Sequence, residues 1–234
     1  MSEKKQHFVN RLIDKLTRKD RDDLVARCET VDLSLGQVLC EPREPLRFAY
    51  FPLTGFISLV TSIGDHLPME MGLIGNEGML GATLLLGVDD APLRAVVQGK
   101  GTALKISASQ LRRRLLESPN LRKTLHRYLY VQMKQLSTSA ACNHFHRLEP
   151  RLARWLLMTH DRAHSDHFHV THACLAGMLG VRRSGITVAA GALQRGLIIK
   201  YTRGEISILD RKGLEGACCE CYEATIGEYG KLLA

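Results

Sequence analysis

The sequence predicts an α+β fold in three parts: a double-stranded β-helix (jelly-roll), a long helix, and a small helical module closed by a β-hairpin. The distribution of glycine is the first reason. Ten of the 20 glycines lie within residues 36–101, none lies within residues 102–176, and the other ten lie beyond. Because glycine is costly inside helices and useful in tight turns, this order indicates turn-rich β structure, then helix, then a mixed module.

The composition is that of an ordinary globular protein, with 45% hydrophobic and 24% charged residues among 234. It excludes the disordered, collagen-like and disulfide-scaffold classes. No stretch approaches the roughly 20 apolar residues of a membrane helix, and the charged start does not resemble a signal peptide. Seven cysteines without framework spacing fit a reducing compartment. We therefore expect a cytoplasmic protein with no membrane partner.

Positive charge is concentrated in one block of the chain. Residues 1–101 carry a net charge of −2, residues 102–212 carry +13, and the last 22 residues carry −3. A module that binds a polyanion requires such a block of positive charge. The alternative interpretation is that these basic residues form a solvated helical face.

The first part, residues 1–117, has the pattern of a small antiparallel barrel or jelly roll. A helix is predicted from about Phe8 to Arg27. Short apolar runs then follow at roughly even spacing, each interrupted by Gly, Pro or Asp, which is typical of such barrels. These runs begin at Gly36, Phe48, Gly55, Pro68 and Leu93.

The second part, residues 118–146, is predicted to be one long helix. Ser118 is a good N-cap and Pro119 suits the first helical position. Apolar residues then recur on one face, which favours a two-fold dimer through paired helices; packing of part of this face on the β domain is the open alternative. The predicted dimer residues are Leu125, Leu129, Met133 and Leu136.

The third part, residues 147–217, has the order of a winged helix-turn-helix domain. Thr171 can cap a short helix, Gly180 supplies a tight turn, and a second helix begins at about Arg182. A β-hairpin that turns at residues 203–204 follows as the wing. The second helix of such a unit enters the major groove of DNA.

Candidate DNA contacts lie at the starts of these two helices. Side chains that open a groove-inserted helix reach base edges, and an arginine can bond guanine in bidentate fashion for about 1–3 kcal/mol of discrimination. Hydroxyl, imidazole and backbone N–H groups at the first helix can hold phosphates. The predicted DNA-binding residues are Thr171, His172, Arg182, Arg183, Ser184 and Thr187.

In this order of parts the chain resembles the Crp–Fnr family of bacterial transcription regulators. The segment Gly75-Asn-Glu-Gly-Met-Leu-Gly81 is similar to the turn of that family's effector pocket, and residues 142–157 are similar to its link between dimer helix and DNA domain. Residues 170–181 resemble its helix-turn-helix, with Arg183 at the position of a base-reading arginine. The resemblance implies a β-roll sensor, a homodimer, double-stranded DNA and RNA polymerase as partners, and a structural role for His146.

The pocket departs from the pattern of that family. Its cyclic-nucleotide binders place glutamate after the pocket glycine, whereas here Ala82 follows Gly81. The phosphate-binding arginine corresponds to Arg94, which is either an anion anchor or a structural arginine. The resemblance thus implies an effector pocket at Gly81, Ala82 and Arg94, argues against cyclic AMP, and leaves the effector unidentified. Ser184 and Val188 depart from the usual recognition helix, so no operator sequence is implied.

The clusters of cysteine and histidine predict no metal site. Cys28 and Cys40, twelve residues apart, cannot supply the four thiolates of an iron–sulfur cluster. Cys218, Cys219 and Cys221 lie in an acidic tail, residues 218–234, where an ordinary terminal helix is expected and a redox or metal role is the open alternative. Four histidines near the DNA domain are interpreted as solvated or close to DNA. They are His164, His167, His169 and His172.

The sequence does not predict an enzyme, because it contains no Gly-rich phosphate loop, nucleophile elbow or His-Glu-x-x-His motif. The predicted function is sequence-specific DNA binding by a homodimeric regulator that reads a palindromic operator, with an effector or redox signal as its gate. The alternative is a module that binds a cyclic nucleotide or another small anion without operator-specific function. The basic block favours the first of these.

Overall fold

The structure is a computed structural model that describes residues 9–62, 64 and 68–232. The elements of its first part are α1 (Arg11–Asp14), α2 (Arg18–Val25), β1 (Glu29–Leu33), β2 (Val38–Cys40), β3 (Phe48–Pro52), β4 (Phe56–Thr61), β5 (Met69–Ile74), a 3-10 helix (Ala82–Leu86), β6 (Arg94–Gly99), β7 (Gly101–Ser107) and α3 (Ala108–Glu117). The strands form a β-roll of two antiparallel sheets, with strand orders β1-β7-β3 and β2-β6-β4-β5. Phe51, Ile57 and Ile106 fill the core of this β-roll.

The predicted helix from Phe8 to Arg27 is two helices in the structure, and Phe8 itself lies outside the described residues. Asn10 begins the first helix: its Oδ1 accepts from the backbone N–H of Leu12 and Ile13. The side chain of Thr17 begins the second helix by accepting from the N–H of Asp20. An oxygen that caps a new helix competes with continuation of the old one, which explains the break at Thr17.

The long helix α4 (Pro119–Phe145) has 27 residues and spans about 40 Å. The Ser118 hydroxyl caps it by accepting from the N–H of Leu121. Leu125 is 1% exposed and packs in the chain's own β-roll, so the predicted dimer stripe is wrong at this residue. Leu129 is half-buried against the same core, whereas Met133 and Leu136 are 62% and 38% exposed.

The elements of the third part and the tail are α5 (Leu148–Ala163), β8 (His167–His169), α6 (His172–Leu179), α7 (Arg183–Arg195), β9 (Ile199–Thr202), β10 (Glu205–Ile208), α8 (Arg211–Ala217) and α9 (Cys221–Leu232). The third part has a second hydrophobic core, which also includes Phe56 and Leu73 of the β-roll, under a small antiparallel sheet with strand order β8-β10-β9. Helix α9, in the C-terminal tail, packs along α4, where the Gln135 Nε2 donates to the Tyr229 hydroxyl at 2.6 Å. No helix among the described residues is both long enough and apolar enough to cross a bilayer.

A buried ion pair joins the β-roll to the third part. The Arg162 guanidinium on α5 bonds the Glu77 carboxylate through Nε at 2.8 Å and Nη2 at 2.6 Å. Both side chains are buried, and the Arg162 Nη1 also donates to the carbonyl of Met158. A Cβ at Gly75 would lie 2.7 Å from the Arg162 side chain, so glycine is required for this approach. The turn from Gly75 to Gly81 therefore couples the two domains.

A second contact between the domains centres on the carboxylate of Glu70 in β5. The Trp155 Nε1 donates to its Oε1 at 2.9 Å, and the Ser58 hydroxyl donates to its Oε2 at 2.6 Å. Burial raises the pKa of Glu70 to about 7, against the opposing effect of these two hydrogen bonds. Helix α6 packs against the same strand. The third part is thus held to its own β-roll along one continuous surface.

Candidate DNA-binding surface and effector pocket

The helix-turn-helix is built from local signals in the sequence. The Thr171 hydroxyl caps α6 by accepting from the N–H of Cys174, and Gly180 ends it with a φ of +63°. Helix α7 begins at Arg183 with Arg182 as its N-cap residue. The buried face of α7 consists of Ile186, Ala189, Ala190 and Leu193. This buried face turns the opposite side of α7 to solvent.

The exposed side of α7 carries the predicted reading residues. The side chains of Arg182, Arg183, Ser184 and Thr187 are exposed, and Val188 beside them is 70% exposed. They lie at the N-terminal half of the helix, which is the half that contacts base edges when such a helix enters the major groove. The arrangement can present the guanidinium group of an arginine and an apolar side chain to neighbouring base pairs.

His172 contacts other residues of its own domain. Its ring stacks on that of Tyr201 with a centroid distance of 4.1 Å, and its Nδ1 lies 3.1 Å from the Thr187 hydroxyl. Burial, and then the positive charge of Arg183, lower the pKa of His172. The Thr187 hydroxyl also donates to the carbonyl of Arg183. The ring thus contacts the first turns of α7, and the lowered pKa favours its neutral form.

The wing adds basic residues that the sequence analysis did not include in the site. Its turn places Arg203 at a φ of +51° and Gly204 at +89°, as expected for the tight turn of a two-residue hairpin. The side chains of Lys200 and Arg203 are exposed on this hairpin. These two residues could have been predicted from the sequence, because basic residues beside a predicted wing turn are well placed to contact phosphates.

A cavity of about 160 Å³ lies between the β-roll and α4. Gly81, with a φ of +96°, and the buried Ala82 are among its lining residues. From α4 the lining includes Leu129, Met133 and Leu136. None of the described residues that line it is charged. The cavity is therefore suited to a small apolar ligand.

Arg94 does not line this cavity. Its side chain is exposed, and its Nε lies 3.3 Å from a carboxylate oxygen of Glu41. The neighbouring Leu93 is the residue that contributes to the cavity. Because successive strand residues face opposite sides, this register turns Arg94 away from the ligand space. Arg94 was interpreted above as either an anion anchor or a structural arginine, and this placement agrees with the structural role.

The chain thus joins a β-roll, which has a cavity under a long helix, to a basic winged helix-turn-helix domain. The Crp-like helix-turn-helix domain family matches residues 150–217. The fold is that of FixK2 from Bradyrhizobium japonicum, with a TM-score of 0.69, 14% identity, and coverage of 82% of this chain and 98% of that chain. A CRP/FNR-family transcriptional regulator from Thermus thermophilus has a TM-score of 0.67, 24% identity, and coverage of 83% and 98%.

A third similar structure is a regulator of the crp/fnr family from Eubacterium rectale, with a TM-score of 0.69, 16% identity, and coverage of 88% of this chain and 96% of that chain. No curated protein sequence matches the chain. Residues 150–217 are a Crp-like helix-turn-helix domain, and the chain as a whole has the fold of the Crp/Fnr transcription regulators. The predicted fold class and the predicted resemblance are confirmed.

Proposed function

We propose that this chain is a sequence-specific DNA-binding regulator that acts in the cytoplasm as a homodimer and recruits or blocks RNA polymerase at a palindromic operator. The observation that carries the proposal is the exposed Arg183 in the first turn of α7, within a domain of the Crp-like helix-turn-helix family. Thr171, Arg182 and the wing residues are the proposed phosphate contacts. Ser184, Thr187 and Val188 complete the proposed reading surface.

The experiment that tests this function is selection of duplexes from a random pool by the purified protein, with and without cyclic AMP. We expect an enriched palindrome with half-sites centred about 34 Å apart, bound without the nucleotide and weakened steeply by salt. If duplexes were enriched only in the presence of cyclic AMP, the cavity would have to bind a charged nucleotide. That result would contradict its assignment to a small apolar ligand. The absence of enrichment in both conditions would contradict operator-specific binding by the effector-free chain.

The exposed face of α4 supports the dimer. Met133 and Leu136 leave apolar surface on this helix, next to the cavity that they also line. A ligand that fills the cavity would press on the same two side chains. We therefore propose that the effector acts by changing how the two long helices meet, which in turn sets the positions of the two recognition helices.

Met133→Glu should convert the dimer to a monomer of about 26.1 kDa in sedimentation velocity. The carboxylate would be buried without a partner at the two-fold contact, a cost of about 3 kcal/mol or more for an unpaired charge. Met133 is preferable to Leu129, because Leu129 also packs on its own β-roll.

Lys134→Glu is the matched control for this variant. Lys134 is exposed and lies one residue along α4, about 100° around the helix from Met133. We expect it to remain dimeric. A Met133→Glu protein that still sediments as a dimer would show that another face of α4 forms the contact.

A further inference from the structure

Four ligand-type side chains from distant parts of the chain meet at the C-terminal end of the long helix. Cys142 lies in the last turn of α4, and His146 is the C-cap residue of that helix. Cys219 and Cys221 come from the junction of α8 and α9, 77 residues beyond Cys142 in the case of Cys219. One potential ligand atom from each lies within 4.8 Å of all the others.

The sulfur atoms are enclosed by the protein. Cys142, Cys219 and Cys221 are 0%, 6% and 8% exposed and form a cluster of their own, apart from the two main cores. Three buried thiols in contact are more than packing requires, since a small aliphatic side chain would fill the same space without a reactive sulfur.

We propose that Cys142, His146, Cys219 and Cys221 bind one Zn²⁺ ion in tetrahedral coordination. Zinc in structural sites is held by four such ligands, with Zn–S near 2.3 Å and Zn–N near 2.0–2.1 Å. A regular tetrahedron of these bonds has S···S edges of about 3.8 Å and S···N edges of about 3.6 Å. The Cys142 Sγ lies 3.5 Å from the Cys219 Sγ, and the Cys221 Sγ lies 3.6 Å from the His146 Nδ1. Two of the six distances between ligand atoms are therefore close to those of a zinc tetrahedron, and all six are within 4.8 Å.

The imidazole of His146 has the orientation of a metal ligand. Its Nε2 lies 3.1 Å from the Glu220 carboxylate, which leaves Nδ1 directed at the sulfur of Cys221. Histidines that bind metal commonly donate their other ring N–H to a carboxylate, which fixes the tautomer and strengthens the ligand. Glu220 lies between the two cysteine ligands in the sequence, so one short segment supplies two zinc ligands and the carboxylate that orients His146.

The surrounding charge suits the bound ion. Three thiolates, a neutral imidazole and Zn²⁺ leave a net charge of −1 on the site. The Arg154 guanidinium on α5 interacts electrostatically with Cys142 and Cys221 and offsets this charge. Binding of the ion displaces one proton from each thiol that enters as thiolate, and no electron is transferred.

The ion would fasten the end of the dimer helix to the C-terminal element of the DNA-binding domain. Cys142 and His146 lie at the link where the chain leaves α4, and the other two ligands lie just beyond α8. A structural zinc site here would fix the angle between the long helix and the DNA-binding domain. This assignment does not depend on the operator or on the effector, so it stands apart from the proposed function.

The test is the zinc content of the full chain, purified under reducing conditions without chelators and measured by elemental mass spectrometry. We expect one Zn²⁺ per chain, and almost none in Cys219→Ser or His146→Ala. Cys218→Ser is the matched control, because its Sγ is outside the group of four and lies 3.3 Å from the carbonyl of Cys219. The Cys218→Ser protein should keep one Zn²⁺ per chain. Glu220→Gln should weaken zinc affinity about 10–100-fold while leaving the four ligands in place.

A measurement on the unaltered protein guards against variants that fail to fold. Titration of the chelator-treated wild-type chain with Co²⁺ should produce the visible absorption bands of tetrahedral Co²⁺ bound by thiolates, ending at one equivalent. The proposal is overturned if the reduced wild-type chain retains no Zn²⁺ after loading and dialysis and gives no such bands. It is also overturned if Cys142 and Cys219 are found joined as a disulfide in that reduced protein, or if Cys218→Ser loses zinc as completely as Cys219→Ser.

Discussion

Arg183→Ala is expected to leave a folded dimer that binds any duplex weakly and no longer distinguishes the operator from a scrambled sequence. The side chain is exposed in the first turn of α7 and is the residue of that turn best suited to a bidentate contact with guanine. Each such contact contributes about 1–3 kcal/mol of discrimination, so the two half-sites of a dimer should lose about 2–6 kcal/mol together. The measurement is competition between operator and scrambled duplex at fixed salt.

Arg195→Ala is the matched control for this experiment. Arg195 is an exposed arginine at the other end of the same helix, where side chains do not reach base edges. We expect its loss to lower affinity for both duplexes alike, if it affects binding at all. Equal discrimination by Arg183→Ala and the wild-type chain would remove Arg183 from the reading surface.

Arg162→Leu is expected to lower the free energy of unfolding by about 3–5 kcal/mol, because it leaves the Glu77 carboxylate buried without its partner. The guanidinium forms two bonds to that carboxylate and is 3% exposed. Denaturant unfolding can be followed by the fluorescence of Trp155, the single tryptophan, which contacts Glu70 at the same domain junction.

Two further variants test whether the unpaired charge is the cause. Adding Glu77→Gln to Arg162→Leu should recover part of the lost stability, since no buried charge then remains. Arg113→Leu, which breaks the exposed pair between Arg113 and Glu117, should change stability by no more than about 1 kcal/mol. A value for Arg162→Leu as small as that of Arg113→Leu would contradict the importance assigned to the domain junction.

The parts of the fold that local chemistry determines could be predicted from the sequence. Thr171 caps α6, Gly180 turns the chain, and the wing turns at residues 203–204, each through a preference of its own side chain or backbone. Strands β1 and β7 were not among the predicted runs. Strand β1 is largely exposed and polar, so it lacks the apolar pattern from which a strand is inferred.

The parts of the site that depend on tertiary contacts could not be predicted. Which side of the sheet Arg94 faces depends on the register of pairing between strands. That register cannot be inferred from the sequence of a single strand. Glu77 meets Arg162 across 85 residues, and Cys142 meets Cys219 across 77. In the linear sequence the last two cysteines appeared to be an isolated tail, because their companions lie at the end of a different helix.

The ion pair at the domain junction also limits what an effector must achieve. A pose of the DNA-binding domain that separates Arg162 from Glu77 while both side chains stay buried, without new partners for either, would lie about 4 kcal/mol above the joined pose. At equilibrium about one molecule in a thousand would occupy it. A ligand could make that pose predominant only by binding it more than about 10³-fold more tightly than the joined pose. Rotations that carry the pair along intact need no such preference, so in the proposed dimer we expect the two domains of each chain to move together as one body.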